Sequence, residues 1–312
     1  MNGQKTVYNK RESSKRDTIR LDDATNLILK ASGYDLRPFA AEYTRARLNR
    51  HLLPPHHAPS PSTSPHSQIT QLSRQDVISA LSLNVTTMFR DPLFYCTLRR
   101  EVLPALNARK HLRIWEVGCA TGEESYSLAI TLNELGFANR YTIVATDFNA
   151  SAIESARRGK YNIKKARAFT HNYHRADGQY SFSDYYSATS EFLIVSPELR
   201  RNIFFREADV TKEGIDFRPD LIVCRNVIFY FSRRQQIETL ELLSGSLNDG
   251  GFLCIGSKEP LPAHALKFEM REISEGGRIF AVQAQDRAKP GLCHRGNLRS
   301  LTLTDQPRRN QE

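Results

Sequence analysis

Leu112-Arg-Ile-Trp-Glu-Val-Gly-Cys-Ala-Thr-Gly122 is the stretch that decides the fold of this chain. Its first half is an apolar run, its second half is a glycine turn, and the helical pattern of residues 125–132 follows. This order predicts a strand, a turn and a helix, the arrangement that forms a cofactor cradle in α/β proteins. Gly118 and Gly122 would let the backbone approach a ligand closely, and the helix start offers unpaired N–H groups.

The residues around this turn favour S-adenosylmethionine over a dinucleotide. A dinucleotide fingerprint needs three glycines spaced as G-x-G-x-x-G, and the third is missing here. Glu123 and Glu124 stand at the helix start, where carboxylates compete with a phosphate for the same N–H groups. The next predicted strand leads to Asp147, which we expect to accept hydrogen bonds from a ribose diol. A nucleoside that carries an amine and a sulfonium satisfies both ends, and a glycine turn without any cofactor is the remaining alternative.

Composition predicts a soluble cytoplasmic protein with one large domain and a smaller one. The chain has 312 residues, of which 40% are hydrophobic and 25% charged. No apolar stretch approaches the ~20 residues that span a bilayer, and the polar N-terminus does not resemble a signal peptide, so we expect no membrane insertion. The five cysteines are scattered without a C-x-x-C pair, which favours a reduced setting over a disulfide or zinc framework.

The net charge of +10 is concentrated at the two ends of the chain. Residues 1–20 carry six Lys or Arg against two acids, and residues 286–312 carry six against three. These segments are predicted to be a disordered basic leader and a disordered basic tail. Because little positive charge remains between them, we expect no nucleic-acid partner.

The region before the glycine turn predicts a small helical domain at residues 21–83. Helical patterns cover residues 22–32 with Gly33 behind them, 39–50 and 74–81. A segment rich in proline and serine at 53–68 interrupts them and is predicted to be a linker. No metal site is expected from the histidines of this segment or from the nearby His51, because flexible surroundings give no fixed geometry. The histidines of the segment are His56, His57 and His66.

From Leu112 onward, strand and helix patterns alternate, which predicts a doubly wound, mostly parallel sheet in an α/β fold. Residues 160–200 read as a long irregular insertion rich in Tyr, Phe and Ser. The predicted strands are 112–117, 141–146, 203–208, 220–224 and 251–255, the predicted helices are 123–135, 149–158 and 232–247, and a final hairpin joins 268–273 to 278–282.

Four motifs in this order resemble the chemotaxis receptor glutamate methyltransferases, the CheR family. The motifs are Asn84-Val-Thr-Thr-Met-Phe-Arg90, Thr121-Gly-Glu-Glu-Ser-Tyr-Ser127, Cys224-Arg-Asn-Val-Ile-Phe-Tyr-Phe231 and Gly256-Ser-Lys-Glu259. The resemblance covers roughly residues 20–285. It implies a seven-stranded, Rossmann-like methyltransferase sheet at 84–285, preceded by the helical domain and carrying an inserted β-subdomain at about 160–202.

The resemblance also implies the site and its chemistry. A glutamate acceptor is already ionised at neutral pH, since its ordinary pKa is about 4.3, so no strong general base is needed. Positioning would do most of the work. Arg90 is expected to orient the acceptor and Tyr230 to line the transfer path, which makes these two the candidate catalytic residues. S-adenosylmethionine, whose product is S-adenosylhomocysteine, is expected to be held by Asn84, Thr86, Arg90, Glu124, Asp147, Asp209, Val210, Asn226 and Val227.

The implied partners are the cytoplasmic helices of methyl-accepting chemotaxis receptors and, as in some relatives, a peptide at a receptor's C-terminus. The family approaches acidic receptor helices with its N-terminal domain, which is shortened here by the linker. Arg45, Arg47 and Arg50 could still serve on one helix, and a solvated charged face is the alternative. Two other functions stay open: a methyltransferase with another protein or small-molecule acceptor, and a non-catalytic S-adenosylmethionine-binding signalling protein.

Overall fold

The computed structural model describes residues 20–52, 65–262, 270–273 and 278–282 of the chain. These residues form two compact units, one built from the residues up to 36 together with 45–80, the other from 37–44 together with those from 81 onward. Segment 37–44, which was predicted to belong to the helical domain, thus has its contacts in the unit that holds the sheet. Residues 1–19 of the predicted leader and the whole predicted tail lie outside the described residues, as do His56 and His57 of the linker.

The first unit contains short helices with clear end signals. The first helix stops at Gly33, whose φ of +68° is left-handed and whose N–H donates to the Leu29 carbonyl at 2.9 Å. Ser73 and Asp76 exchange backbone-to-side-chain hydrogen bonds of 2.9 and 3.2 Å, a capping box at the start of the fourth helix. The helices in this part of the chain are α1 Leu21–Ser32, α2 Ala41–Arg47 with the π-helical turn Leu48–Leu52, α3 Pro65–Ile69 and α4 Arg74–Leu81.

Helix α3 corrects the prediction of a linker as far as residue 68. Proline is favoured at the first position of a helix, where its missing N–H would have no partner in any case, so Pro65 can begin one. The prediction of a linker considered proline only as a helix breaker.

The second unit alternates strands and helices as the sequence predicted. The helices that follow α4 in the described chain are α5 Pro92–Thr97, α6 Leu103–Leu106, α7 Glu123–Glu134, α8 Ala150–Arg158, α9 Ala166–Arg175, α10 Pro197–Arg200 and α11 Arg233–Ser246. The strands are β1 Leu112–Val117, β2 Tyr141–Asp147, β3 Lys160–Asn162, β4 Tyr186–Ala188, β5 Phe192–Val195, β6 Ile203–Glu207, β7 Leu221–Cys224, β8 Phe252–Ile255, β9 Met270–Glu272 and β10 Ile279–Val282.

Seven strands form one sheet in the order β6-β2-β1-β7-β8-β10-β9. The first five in this order are parallel, and β10 runs antiparallel to both β8 and β9. The predicted α/β fold, with a mostly parallel sheet finished by a hairpin, is confirmed. The part of that hairpin at residues 268–269 lies outside the described residues.

Both faces of the sheet are buried, so the fold is doubly wound. Along β1, Leu112 and Ile114 belong to one apolar core and Trp115 and Val117 to the other. The first core includes side chains from α7 and α8, and the second includes side chains from α11. Burial on both sides explains why β7 reads as an uninterrupted apolar run rather than an alternating one.

Residues 160–200 contain the inserted β-subdomain that the resemblance implied, and they are more regular than the residue pattern alone indicated. Strands β3, β5 and β4 form a separate antiparallel sheet in that order. Between them lies α9, a ten-residue helix whose buried side chains are Phe169 and Tyr173, one turn apart. Two apolar positions in a stretch otherwise rich in Arg, His and Asn gave too weak a periodic signal to predict it.

Across the described residues, the helices are too short or too polar to cross a bilayer. The same residues contain no group of three or more His, Cys, Asp or Glu side chains that could hold a metal ion.

Gly122 has a packing role that the glycine turn did not reveal. Its φ is +88°, and a Cβ at this position would lie 2.9 Å from the Ala156 Cβ on α8. The absence of a side chain therefore lets the start of α7 sit directly against α8. Gly136, at the other end of α7, has a similar φ of +77°, but a Cβ there would have no neighbour within 4 Å.

We expect Gly122→Ala to destabilise the protein more than Gly136→Ala. An alanine in the left-handed conformation lowers the free energy of unfolding of either variant by about 1–2 kcal/mol. Gly122→Ala adds a steric clash between helices, on the order of 1–3 kcal/mol. Urea unfolding of both variants measures the difference, and equal losses in the free energy of unfolding would contradict the packing role.

Candidate functional site

A cleft opens in the second unit at the carboxyl ends of the parallel strands, the edge where sheets of this kind bind ligands. It encloses about 680 Å³ of space, a volume that includes its open mouth. The sequence-predicted residues that line it are Asn84, Gly118, Asp147, Asp209, Val210, Asn226, Val227 and Tyr230.

Gly118 begins the floor of the cleft. Its φ is +76°, and a Cβ there would lie 2.3 Å from the Val227 Cγ2. No other residue therefore fits here without moving the segment that follows β7. The N–H groups of Gly118 and Cys119 donate to the Thr146 carbonyl at 2.7 and 3.0 Å, which ties the turn to β2. The sequence predicted that the backbone at Gly118 makes a close approach. In the structure, the glycine turn approaches the segment after β7 closely at this point, and both segments line the cleft.

Asp147 is a buried carboxylate at the end of β2. One oxygen accepts the Ala120 N–H and the other accepts the Asn149 N–H, both at 2.9 Å. Its pKa is raised to about 6: burial is the main cause, the N–H donors of Asn149 and Ala120 oppose the rise, and the nearby Asp209 adds to it. Each oxygen keeps acceptor capacity, so Asp147 can bind hydroxyl donors of a ligand.

The segment after β7 is held in shape by Glu259, which is 2% exposed. Its carboxylate accepts the N–H groups of Val227 at 2.6 Å, Ile228 at 2.8 Å and Gly256 at 2.5 Å. Burial raises the pKa of Glu259, and these N–H donors lower it. In the sequence, Glu259 stood out only as part of a motif, and no role was predicted for it.

Aromatic residues from segment 37–44 form one wall of the cleft. Phe39 pairs with Phe231 in an antiparallel bridge, and the Ala40 N–H donates to the Tyr230 carbonyl at 2.8 Å. The Tyr43 ring lies 4.6 Å from the Tyr230 ring, centroid to centroid, and its hydroxyl donates to the Leu81 carbonyl. Sequence reasoning missed Phe39 and Tyr43 because a helical pattern does not reveal a partner so distant in the chain.

Thr86, Arg90, Gly122 and Glu124, the other predicted site residues, do not line the cleft. Arg90 is partly buried, and its Nη1 donates to the Val85 carbonyl at 3.1 Å. Burial raises the pKa of Glu124, while the positive charges of Arg225 and Arg90 lower it.

Arg225 connects Glu124 to Asp91, the residue after Arg90, and was not among the predicted site residues. Its guanidinium forms ion pairs of 2.7 Å with Glu124 and 2.7 Å with Asp91, and it lies 4.0 Å over the Phe94 ring. The side chain is 2% exposed. The sequence signal that could have indicated it is an arginine directly after a buried strand, since such a charge needs partners inside the protein.

The cleft is suited to a nucleoside with a cationic end. Its walls are largely aromatic and aliphatic, Asp147 offers a carboxylate for a diol, and Asn84 and Asn226 offer amides. Buried acids raise the negative potential of the surroundings, which would disfavour a pyrophosphate. These features match the chemistry of S-adenosylmethionine.

The comparisons with known proteins agree with this cofactor. Residues 84–276 match the family model described as "CheR methyltransferase, SAM binding domain", which confirms the resemblance and S-adenosylmethionine as the cofactor. The methyltransferase Cher3 of Pseudomonas putida is 35% identical, over 65% of this chain and 75% of that protein. The chemotaxis protein methyltransferase of Listeria innocua is 30% identical, over 63% and 72%.

Solved structures of other methyltransferases are also similar to this chain, and an N-methyltransferase is an example. The N-methyltransferase NodS of Bradyrhizobium japonicum, in complex with S-adenosylhomocysteine, is 16% identical with a TM-score of 0.30, over 55% of this chain and 63% of that one.

Glu259→Gln should weaken S-adenosylhomocysteine binding at least tenfold. An amide in place of the carboxylate turns one acceptor into a donor that faces backbone N–H groups, so the Val227 turn loses its shape. Isothermal titration calorimetry measures the affinity. The matched control is Glu134→Gln, because Glu134 is also buried and accepts hydrogen bonds from Tyr173 and Tyr185, at 2.5 and 2.6 Å, but is bonded to none of the described residues that line the cleft. Similar affinity losses in both variants would contradict the role of Glu259.

Proposed function

Because the chain belongs to the CheR methyltransferase family, we propose that it transfers the methyl group of S-adenosylmethionine to glutamate side chains of chemotaxis receptors, forming methyl esters. The proposed partners are the cytoplasmic helices of these receptors, so the reaction would take place in the cytoplasm. Relatives named chemotaxis protein methyltransferase, from Listeria innocua and Vibrio cholerae, support the proposal. The observation that carries it is that Asp147, Asn226 and Tyr230 line a single cleft.

The residues proposed to hold the cofactor follow from their place around the cleft. Asp147 would accept the ribose hydroxyls, because its two oxygens are fixed by backbone N–H groups and stay available as acceptors. Gly118 would let the ligand reach the backbone, whereas Gly122 would act through helix packing. When bound, the cofactor supplies a methyl group on a positively charged sulfur. The other proposed contacts are Asn84, Asp209, Val210, Asn226 and Val227, which line the cleft, and Thr86, Arg90 and Glu124, which the resemblance to the family implies.

The protein's own contribution to the reaction would be positioning. A glutamate acceptor enters ionised, so no residue has to remove a proton. Arg90 would bind that carboxylate, since a guanidinium can hold both of its oxygens. Tyr230 would line the path and exclude water, supported by its contact with the Tyr43 ring. Charge is neutralised as the two reactants combine, so a dry, low-dielectric site favours the reaction.

We expect purified protein, methyl-labelled S-adenosylmethionine and receptor-rich membranes to yield a labelled receptor that releases methanol in mild base. Arg90→Ala should lower the turnover about a hundredfold, because a misplaced acceptor loses most of the orientation effect. Tyr230→Phe should lower it about tenfold. Tyr180→Phe is the control, since Tyr180 is 60% exposed and does not line the cleft.

A base-stable label would indicate another acceptor group. Binding of S-adenosylhomocysteine without any labelled acceptor would favour the signalling protein without catalysis. Wild-type turnover in both Arg90→Ala and Tyr230→Phe would contradict the roles of these two residues.

The affinity for S-adenosylhomocysteine should depend on pH through Asp147. Its pKa of about 6 lies above the ordinary value, so the carboxylate becomes protonated, and a poorer acceptor, as the pH falls through 6. We expect constant affinity above pH 7 and a loss of up to about tenfold per pH unit below 6. Calorimetry between pH 5 and 8 measures this. Asp147→Asn should bind weakly at every pH, and a wild-type slope in that variant would assign the titration to another group.

A further inference from the structure

We infer that the ion pair between Asp91 and Arg225 positions Arg90. This inference rests on the proposed function, because that is where Arg90 receives its role. Asp91 lies directly after Arg90 in the chain and does not line the cleft. It is therefore proposed as a positioning residue rather than a catalytic one.

The guanidinium of Arg225 joins three separate segments. Its Nη1 donates to Glu124 on α7 at 2.7 Å, and its Nη2 donates to Asp91 at 2.7 Å and to the Arg90 carbonyl at 3.4 Å. Arg225 itself directly follows β7 and precedes Asn226 in the cleft. A rigid planar fork with several donors can fix all three segments relative to one another.

The two carboxylates bonded to Arg225 have different tasks. The Glu124 side chain is 14% exposed, so it is the partner that compensates the buried positive charge. The Asp91 side chain is 50% exposed, so it contributes less to that compensation. What Asp91 adds is a tether between the segment that carries Arg90 and the end of β7.

The backbone around Arg90 needs such a tether. Phe89 and Asp91 both have left-handed φ values, +52° and +55°, each of which costs about 1–2 kcal/mol in a residue other than glycine. Phe89 is held by its fully buried ring and by its N–H, which donates to the Ser127 hydroxyl at 2.9 Å. On the other side of Arg90, the Asp91 carboxylate bonded to Arg225 has the corresponding function.

An ion pair with a half-exposed partner often contributes little to stability. The test therefore needs a control aspartate with a similar φ, exposure and ion-pair distance. Asp177 provides it: its side chain is 47% exposed, its φ is +56°, and it pairs with Arg100 at 2.6 Å. The two aspartates differ in their arginine, since that of Asp177 is 71% exposed and that of Asp91 is buried.

The experiment compares Asp91→Asn with Asp177→Asn in the full chain. Asparagine keeps the shape and also tolerates a left-handed φ, so both variants lose the negative charge and one acceptor oxygen without added backbone strain. We expect Asp91→Asn to lower kcat/KM for receptor methylation at least tenfold and S-adenosylhomocysteine affinity at least threefold. Asp177→Asn should change both by less than twofold, and the Tm of the two variants should agree.

A second variant keeps the inference testable. Arg225→Lys keeps the charge but loses the planar fork, so it should reproduce the effect of Asp91→Asn, and the double variant should be no worse than either single one. Equal behaviour of the two aspartate variants, or losses that follow Tm, would overturn the inference. If the wild-type protein methylates no receptor, the proposed function fails, and the positioning role is then decided by S-adenosylhomocysteine affinity alone.

Discussion

The positive charge of Arg225 has to be compensated inside the protein, and the ligand end of the sheet is arranged around that requirement. A guanidinium that is 2% exposed cannot rely on water, so Glu124, Asp91 and the face of Phe94 surround it. These partners come from α7 and from the segment just before and within α5. One buried charge at the end of β7 thereby fixes where three distant parts of the chain meet.

The ligand end of the sheet contains more buried acidic side chains than the single positive charge of Arg225 requires. Glu116, Glu124, Asp147 and Glu259 are all buried, and burial raises the pKa of each. Burial and the nearby Glu124 raise the pKa of Glu116, which favours its neutral form. The ligand end thus combines low polarity with an excess of acceptors. That combination suits a cationic nucleoside and opposes a pyrophosphate, which is the preference that Glu123 and Glu124 indicated in the sequence.

The local signals in the sequence predicted the fold well, and the long-range ones were invisible. Helix α8 was predicted to within a residue, because Asn149 caps its first turn and Gly159 has the left-handed φ that ends it. Helix α9 was missed because two apolar residues among polar ones leave little periodicity. Gly122 was interpreted as a ligand contact, since a sequence shows that a side chain is absent but not which neighbour requires its absence. Phe39 and Tyr43 could not be assigned to the cleft, because nothing in a helical pattern reveals the partner strand or turn.

The bridge between Phe39 and Phe231 makes two distant parts of the folded chain depend on each other. During synthesis, Phe39 and Tyr43 leave the ribosome long before β7 exists, and their contacts with Phe231 and Tyr230 form only once the turn after β7 has formed. Closing so long a loop costs more entropy than any local contact in the cleft, although the cost grows slowly with length. The cleft is therefore completed late in folding, and a nascent chain can have most of its sheet in place before it is able to hold a nucleoside.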